Sequence, residues 1–424
     1  MATKVIPLVA HRPQTRPEDV RRAFHGDRQW DAEAELAAAE QQRQFRPFIY
    51  WYVSFRCNLA CRHCSVQSSP AVDTSQDLDT AAALRVVEQM HELGVGTVAM
   101  TGGEALLRPD AIELIEAVTE RGMAVSLESN GLLFDARFVA VARRAQADGR
   151  LSIGISLDGG TPDTHDEMRG KGTFARTLQG LRLLKEHGVD FRVQMVLSRA
   201  NYHTIPEYYA VARELQPQLK RVLFATLNPV GRGASLTSQL GLRAQDIRAA
   251  LALIKREKGG YLGTTTLKAP PAAIPSEYLG MLFNDASMEK QWTCQFPLLG
   301  VLPNGDITVC ALTSDNEHLR LGNIRSHTLK QVWDETHLTM LRSRYVAATD
   351  LQGICGDCIW KASCKGGCRA WAYEDGGSFD APLPLCEQMV KMGEFPDAYR
   401  ISRQKEALSR VTLPAAPGCS ACSL

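Results

Sequence analysis

Residues 48–64 read FIYWYVSFRCNLACRHC, an apolar and aromatic run that passes directly into a loop with three cysteines. The run 48–55 has the composition of a buried strand. Its cysteines stand at positions 57, 61 and 64, so all three belong to one short loop that follows the strand. Because open α/β sheets and barrels place their chemistry at the carboxyl ends of the strands, this stretch predicts both the fold class and its functional edge.

Short apolar runs continue to alternate with segments of helical period after residue 64. This alternation predicts a parallel sheet whose strands are joined by crossover helices. Six βα units are fewer than the eight that close a barrel, so periodicity leaves a partial barrel and a doubly wound layer as alternatives. The predicted strands are 48–55, 97–101, 123–128, 151–157, 191–197 and 221–226, and the predicted helices are 78–94, 109–122, 174–188 and 205–216.

Composition excludes several classes of protein. The 424 residues carry 48 basic and 47 acidic side chains, so no broad positive field is present and nucleic acid is not expected as the main partner. No apolar run reaches the ~18 residues that a membrane-spanning helix needs, so no membrane partner is expected. The apolar stretch at the start of the chain is too short for a signal peptide, which predicts a cytoplasmic protein.

The chain has twelve cysteines, and they are grouped. Disulfides are rare in a reducing compartment, so grouped cysteines indicate metal ligands or redox groups. The first group has the spacing C-x3-C-x2-C, in which three thiolates can hold three corners of a [4Fe–4S] cube and leave the fourth iron open. A three-cysteine zinc site is the alternative. After residue 64 the cysteines stand at 294, 310, 355, 358, 364, 368, 386, 419 and 422.

The cysteine loop and three later segments together resemble the radical S-adenosylmethionine (SAM) enzymes. The segments are Thr101-Gly-Gly-Glu, Ser129-Asn-Gly and Ser156-Leu-Asp, each at the end of a predicted strand, with Arg169 further on. The resemblance implies that Cys57, Cys61 and Cys64 hold the catalytic cluster. It further implies contacts to SAM from Gly102 and Gly103, from Glu104 (methionine ammonium), from Asn130, Ser156 and Asp158 (ribose), from Arg169 (methionine carboxylate) and from His63 (adenine).

The resemblance also implies the fold and the reaction. The fold is a partial (β/α)6 TIM-like barrel that holds the cluster and SAM at its mouth. The reaction is reductive cleavage of SAM to a 5′-deoxyadenosyl radical, which removes a hydrogen atom from the substrate. A flavodoxin or ferredoxin would be the external electron donor of such an oxidoreductase.

Seven cysteines between 294 and 386 form a second group. Two zinc ions would take eight ligands and one would take four, so seven cysteines fit a zinc ribbon badly. Their spacing, with LGNIRSHTLKQVW at 321–333, resembles the SPASM extension of radical SAM enzymes, which holds two auxiliary iron–sulfur clusters. Three [4Fe–4S] clusters in all are therefore expected. The resemblance implies an outer cluster on Cys355, Cys358, Cys364 and Cys386 and an inner cluster on Cys294, Cys310 and Cys368.

The inner cluster is one ligand short of four. Water, a non-cysteine side chain, a substrate thiolate or a tail cysteine, Cys419 or Cys422, would complete it. The tail pair alternatively consists of two incidental thiols. The domain division expected from these patterns is an N-terminal arm and helix at 1–47, the radical SAM barrel at 48–240, a linker at 241–293, the SPASM domain at 294–395 and a tail at 396–424.

The SPASM architecture resembles enzymes that modify peptides, so the sequence predicts a peptide maturase that installs a cross-link, an oxidation or a similar change. Residues 1–47 are shorter than the leader-binding domain of some maturases, which makes a separate recognition protein a possible partner. TGGEALLRPD and LNPVGRGA also resemble enzymes that act on tetrapyrroles in haem synthesis, and this is the alternative. A non-enzymatic iron–sulfur electron carrier is the alternative from a different class, against which the SAM motifs argue.

Overall fold

The computed structural model describes residues 46–227, 229–279, 281, 288–290, 298–314, 316–335 and 350–403. Three expectations fall outside these residues: the helix of the N-terminal arm, the cluster ligand Cys294, and the tail cysteines 419 and 422.

A single sheet of eleven strands organises the described residues, in the order β11-β10-β9-β1-β2-β3-β4-β5-β6-β7-β8. All six predicted strands are confirmed as β1 to β6, within two residues of their predicted bounds. The strands are β1 Phe48–Ser54, β2 Thr97–Gly102, β3 Ala124–Ser129, β4 Leu151–Ser156, β5 Phe191–Leu197, β6 Leu219–Thr226, β7 Thr264–Lys268, β8 Met288–Lys290, β9 Leu298–Val301, β10 Asp306–Thr308 and β11 Arg320–Asn323.

Helices connect the strands, and the four predicted ones are confirmed as α1, α2, α5 and α6. Their side chains cover one face of the sheet, where Trp51 and Phe224 are almost completely buried. The helices are α1 Thr80–Glu92, α2 Ala111–Glu120, α3 Ala136–Ala147, α4 Pro162–Arg169, α5 Thr173–Glu186, α6 Ile205–Glu214, α7 Thr237–Leu240, α8 Ala244–Glu257, α9 Leu329–Trp333, α10 Gly353–Gly356, α11 Lys361–Cys364, α12 Arg369–Gly376 and α13 Pro384–Lys391. Within the part of the chain that the structure describes, no helix is long and apolar enough to cross a membrane.

The strand order decides between the two architectures that periodicity left open. Strands β1 to β8 are parallel and follow one another in chain order. A doubly wound layer reverses its order at a switch point, so this sheet has the order of a barrel. Strand β1 pairs along its second edge with β9, with Phe48 opposite Leu298 and Trp51 opposite Val301. Because both edges of β1 are occupied, β8 cannot close onto it, and the barrel remains partial.

Two expected boundaries differ from the structure. The segment 241–293, expected as a linker, contains α8 and the parallel strand β7, which pairs with β6. Strand β7 reads TTTLK, and its polar side chains next to glycines and prolines hide the strand pattern. The cysteine-rich block was expected as a separate domain, but its strands β9, β10 and β11 extend the sheet of the barrel. The β9–β1 pairing joins residues about 250 positions apart in the sequence. Local sequence patterns cannot predict a pairing over such a distance.

Candidate active site

The first cysteine loop follows β1 and is held by backbone contacts from both sides. Cys57 N donates to Ser69 O at 3.2 Å, and Arg62 N donates to Met168 O at 2.9 Å. Burial raises the pKa of the Cys57 thiol to about 11 and also raises the pKa of Cys61. A bound metal deprotonates its thiol ligands outright, so three thiols grouped on one loop are a donor set that suits metal binding.

Arg232, which follows β6, forms hydrogen bonds with the backbone of this loop. Its Nε donates to Cys61 O at 2.8 Å, its Nη2 donates to Ser68 O at 2.8 Å, and its backbone N donates to Cys64 O at 2.9 Å. A Cβ on the preceding Gly231 would lie 2.4 Å from Ser65 O, so glycine permits this approach. Sequence reasoning assigned Arg232 no role; the available signal was the Gly-Arg-Gly sequence soon after the end of β6.

The glycines of the Gly-Gly-Glu segment let two backbone segments meet. A Cβ on Gly102 would lie 2.2 Å from Ser54 O, and a Cβ on Gly103 would lie 2.1 Å from Arg56 O. The backbone N of Gly103 donates to Ser54 O at 2.7 Å. The resemblance implied that these glycines approach the ligand. In the structure a side chain at either position would clash with the backbone at the end of β1 or at the start of the cysteine loop. This contact is the reason that both positions require glycine.

Glu104 is completely buried at the end of the second strand. Its carboxylate accepts hydrogen bonds from Asn130 N at 2.8 Å, from Leu106 N at 3.2 Å and from the Ser129 hydroxyl at 3.0 Å. Burial raises the pKa of this carboxyl despite these donors. No described residue forms a salt bridge with Glu104. A buried carboxylate without a paired cation suits a ligand that brings a positive charge, such as the SAM methionine ammonium.

Asp158 stands two residues after β4 and binds three donors of its own chain. Arg169 Nε lies 2.6 Å from Oδ2, His63 Nε2 lies 3.1 Å from the same atom, and Val196 N donates to Oδ1 at 2.8 Å. Burial alone would raise the pKa of Asp158, but Arg169 and His63 hold it well below its usual range. These contacts indicate that Asp158 positions His63 and Arg169, a role that its place in the ribose motif did not predict.

Asn130 and Ser156 also contact protein atoms near the cysteine loop. Asn130 Nδ2 donates to Asn58 Oδ1 at 2.7 Å and lies 4.0 Å from Cys57 Sγ. The Ser156 hydroxyl accepts from Gln194 Nε2 at 3.2 Å. Both residues are buried at strand ends that face the loop. The structure therefore brings the predicted SAM-contacting residues of β2, β3 and β4 to one edge of the sheet.

A buried nitrogen without a partner indicates where a ligand would lie. The His63 side chain is 8% exposed, and its Nδ1 has no hydrogen-bond partner. Buried polar groups without partners are rare in folded proteins and require a physical explanation. Together with the unpaired charge of Glu104, this atom fits SAM bound beside the cluster loop. The chain's residues at this edge therefore suit both groups that the resemblance implies.

Four later cysteines surround one cavity. Cys355, Cys358, Cys364 and Cys386 all line one small cavity, which Leu383 also lines. Burial raises the pKa of Cys355 to about 11 and that of Cys364 to about 12, and it raises the pKa of Cys358 and Cys386. These are the four residues expected to hold the outer auxiliary cluster. Their arrangement suits a cluster that takes one thiolate at each corner.

Cys310 and Cys368 lie close to each other, apart from that cavity. Both pack with Ala370 in one small apolar cluster. Burial raises the pKa of Cys310 to about 12, and the neighbouring Cys368 raises it further. Two of the three expected inner ligands are therefore adjacent. In the described residues no group of three His, Cys, Asp or Glu side chains converges on a position for a single metal ion.

Two family models match the chain. The radical SAM superfamily model matches residues 51–212, and the model of the iron–sulfur cluster-binding SPASM domain matches residues 294–359. The first match contains the cysteine loop, Glu104 and Asp158. The second contains Cys294, Cys310, Cys355 and Cys358, and it ends before Cys364, Cys368 and Cys386.

The chain is also similar to curated proteins, and its fold is similar to that of solved structures. The chain is 28% identical over 342 residues to the mycofactocin maturase MftC of Mycobacterium ulcerans, covering 80% of this chain and 87% of that protein. It is 28% identical over 353 residues to the AdoMet-dependent heme synthase of Methanosarcina barkeri, covering 80% and 95%. The fold is similar to that of Streptococcus suis SuiB, with a TM-score of 0.61, 18% identity, and coverage of 83% of this chain and 79% of that one.

The functional conclusion follows from these matches and from the geometry of the strand ends. The SAM-type cysteine loop and Gly-Gly-Glu segment stand at the mouth of a partial barrel, and four of the seven auxiliary-type cysteines fall in the matched SPASM region. Both regions indicate iron–sulfur clusters, and the first indicates SAM. The chain carries a radical SAM domain, matched over residues 51–212, followed by a SPASM domain, matched over residues 294–359, and it is an enzyme.

Proposed function

We propose that the chain is a peptide-modifying radical SAM enzyme with three [4Fe–4S] clusters. The loop cysteines 57, 61 and 64 hold the first cluster, the four cavity cysteines hold the outer auxiliary cluster, and Cys310, Cys368 and Cys294 hold the inner one. When bound, the first cluster and SAM supply reductive cleavage of the sulfonium and removal of hydrogen from substrate. The protein's residues bind and orient both reactants and exclude other hydrogen donors.

In this proposal four residues near the cysteine loop have separate roles. Glu104 binds the methionine ammonium, because it is a buried carboxylate without a paired cation. His63 offers its unpartnered Nδ1 to the ligand, and Asp158 holds the His63 ring through Nε2. Arg169 stays charged beside Cys61, with Nη1 3.9 Å from the sulfur.

The open side of the barrel is the observation that carries the peptide proposal. Strand β1 pairs with β9 along its second edge, so the sheet does not close and β8 is its last described strand. The end strand of a sheet offers backbone N–H and C=O groups to an extended chain. A peptide can therefore enter from the side and dock as an additional strand.

Charge on the inner face of the barrel indicates an anionic substrate group. Thr265 lies on the helix side of β7, with its hydroxyl 2.8 Å from Tyr209 Oη, so side-chain alternation places Lys268 of this strand inside. The same alternation places Arg192 of β5 and Arg221 of β6 inside, opposite Glu128 of β3. On the inner faces of β1 to β7, three cations therefore meet one carboxylate. Arg192 forms an ion pair with Glu128, whereas Lys268 is the last residue of β7 and lies at the carboxyl ends of the strands, where it favours a substrate that presents a carboxylate.

Tetrapyrrole modification is the second candidate. The similarity to an AdoMet-dependent heme synthase covers the same share of this chain as the similarity to MftC. A tetrapyrrole with carboxylate side groups would also suit the charge of Lys268. A flat macrocycle, however, has no peptide backbone that could pair with the open strand edge. The peptide proposal is therefore preferred.

One comparison of substrates tests the proposal. The anaerobically reconstituted full chain is mixed with SAM, dithionite and synthetic peptides encoded by reading frames beside its gene, or instead with a carboxylated porphyrin. A mass change in a peptide, accompanied by 5′-deoxyadenosine, is the expected result. A mass change in the porphyrin alone would overturn the peptide proposal. Flavodoxin, ferredoxin and a separate leader-recognition protein are then added in turn, because each is a proposed partner.

A further inference from the structure

Arg369 is a completely buried arginine beside the outer cysteines. Its Nη1 donates to Ala381 O at 2.7 Å and to Phe379 O at 3.1 Å, and its Nη2 donates to Gly366 O. Its Nε is buried and has no partner. Every hydrogen bond of this guanidinium therefore goes to a neutral carbonyl.

No carboxylate neutralises Arg369 at short range. Among the described residues none lies within salt-bridge distance, and Asp380, a partly exposed residue, acts on it only from farther away. An arginine guanidinium stays protonated in proteins, so the side chain is charged at neutral pH. Burying an unpaired charge is strongly unfavourable, which means that the folded protein requires an opposite charge close to Arg369.

The outer cysteines lie where that opposite charge is required. A Cβ on Gly366 would be 2.5 Å from Arg369 Cζ, so the guanidinium lies directly against the loop that joins Cys364 to Cys368. Cys386 also acts electrostatically on Arg369. Four thiolates around a [4Fe–4S] core leave a net charge of about −2, and reduction adds one more negative charge. A nearby buried cation stabilises the reduced form more than the oxidised form.

We propose that Arg369 is a positioning residue that compensates the charge of the outer auxiliary cluster and raises its reduction potential. This inference rests on the assignment of that cluster to Cys355, Cys358, Cys364 and Cys386. It adds to that assignment a side chain that is not a ligand. With Arg369 beside it, the outer cluster accepts an electron more readily than a cluster on the same four cysteines without the arginine.

The test uses the full chain with Cys57, Cys61 and Cys64 replaced by alanine, so that the first cluster is absent. Iron content and the midpoint potential from an EPR-monitored redox titration are measured for Arg369→Gln, Arg369→Lys and Asp380→Asn. A Cys310→Ala companion identifies the inner cluster's signal. Arg369→Gln is expected to lower the outer potential or to lose about four irons. Arg369→Lys and Asp380→Asn are expected to keep both the potential and the iron, because they keep the buried cation.

Three results would overturn the inference. An outer potential and iron content in Arg369→Gln equal to those of Arg369→Lys would show that the charge is irrelevant. Equal losses in both arginine variants would show that only the hydrogen bonds to carbonyls matter. Absence of any outer-cluster signal when Arg369 is intact would instead refute the four-cysteine assignment, which separates that failure from the other two.

Discussion

Arg169 Nε lies 2.6 Å from Asp158 Oδ2 at the mouth of the barrel, where Asp158 is buried and the Arg169 side chain is 11% exposed. The opposite end of the guanidinium, Nη1, lies 3.9 Å from Cys61 Sγ. Strand β4, helix α4 and the cysteine loop are thereby joined through one ion pair. This contact explains how a residue just after the fourth strand influences the loop that follows the first.

Asp158→Asn should destabilise the folded chain by about 3–5 kcal/mol at neutral pH, because it leaves Arg169 buried without its counter-charge. The pKa of Asp158 lies well below its usual range in the folded chain, against about 3.9 in the unfolded chain. Its contribution is therefore complete above pH of about 4 and is lost as the pH falls further. Denaturant unfolding of the unmodified chain and of Asp158→Asn should show that the difference between their free energies of unfolding becomes smaller below that pH. A difference independent of pH would contradict the ion pair.

Glu104→Gln should weaken SAM binding about 10- to 150-fold, which corresponds to about 1.5–3 kcal/mol for a lost charge-assisted hydrogen bond. Iron content should stay unchanged, because Glu104 contacts no cysteine. Equilibrium dialysis of SAM against the reconstituted proteins measures the effect. The control is Asp246→Asn, which alters another buried carboxylate at the start of α8. Equal affinity in the variant and the unmodified chain would show that Glu104 does not bind the ligand.

Arg232→Ala should lower the occupancy of the first cluster by up to about four irons, because it removes the two side-chain hydrogen bonds from Arg232 to Cys61 O and Ser68 O. Iron analysis after reconstitution measures this loss. Arg62→Ala is the matched control: it is on the same loop, and its pair with Glu167 is exposed. An exposed pair contributes about 0–1 kcal/mol, so the control should keep its iron. An unchanged iron content in Arg232→Ala would show that Arg232 is not needed to hold the cysteine loop.

Gly103→Ala should reduce the free energy of unfolding strongly, by about 3 kcal/mol or more, because its Cβ would lie 2.1 Å from Arg56 O. Thermal unfolding of the apo protein measures this change without any cofactor. Gly259→Ala is the control, since nothing lies within 4 Å of a Cβ at that position and its φ is not positive. The control should be neutral or more stable by about 0.4–1 kcal/mol. A harmless Gly103→Ala would mean that the two backbone segments are not in close contact.

Local sequence patterns predicted what depends on local chemistry. Strand β5 was predicted at its observed bounds, because its apolar residues alternate along one face. Strand β7 was missed, because its burial depends on α6, where Tyr209 contacts the Thr265 hydroxyl. The pairing of β9 with β1 depends on the whole intervening barrel, so no local signal could reveal it.

The candidate site divides in the same way. The cysteine spacing and the Gly-Gly-Glu segment were readable from the sequence, since each is contained in a few consecutive residues. The partners of Asp158 were not, because His63 lies on the first loop and Arg169 on α4, and only the fold brings them together. Arg232 is 171 residues from Cys61 in the sequence, and only the fold brings its side chain to the loop.

The assignment of catalysis to the first cysteine loop is tested most directly by replacing Cys57, Cys61 and Cys64 together with alanine. The measurement is 5′-deoxyadenosine formed from SAM under dithionite by the anaerobically reconstituted chain, with iron counted in the same sample. The account predicts no 5′-deoxyadenosine and a loss of about four of about twelve irons, because one of three clusters disappears. Continued formation of 5′-deoxyadenosine in the triple variant would contradict it.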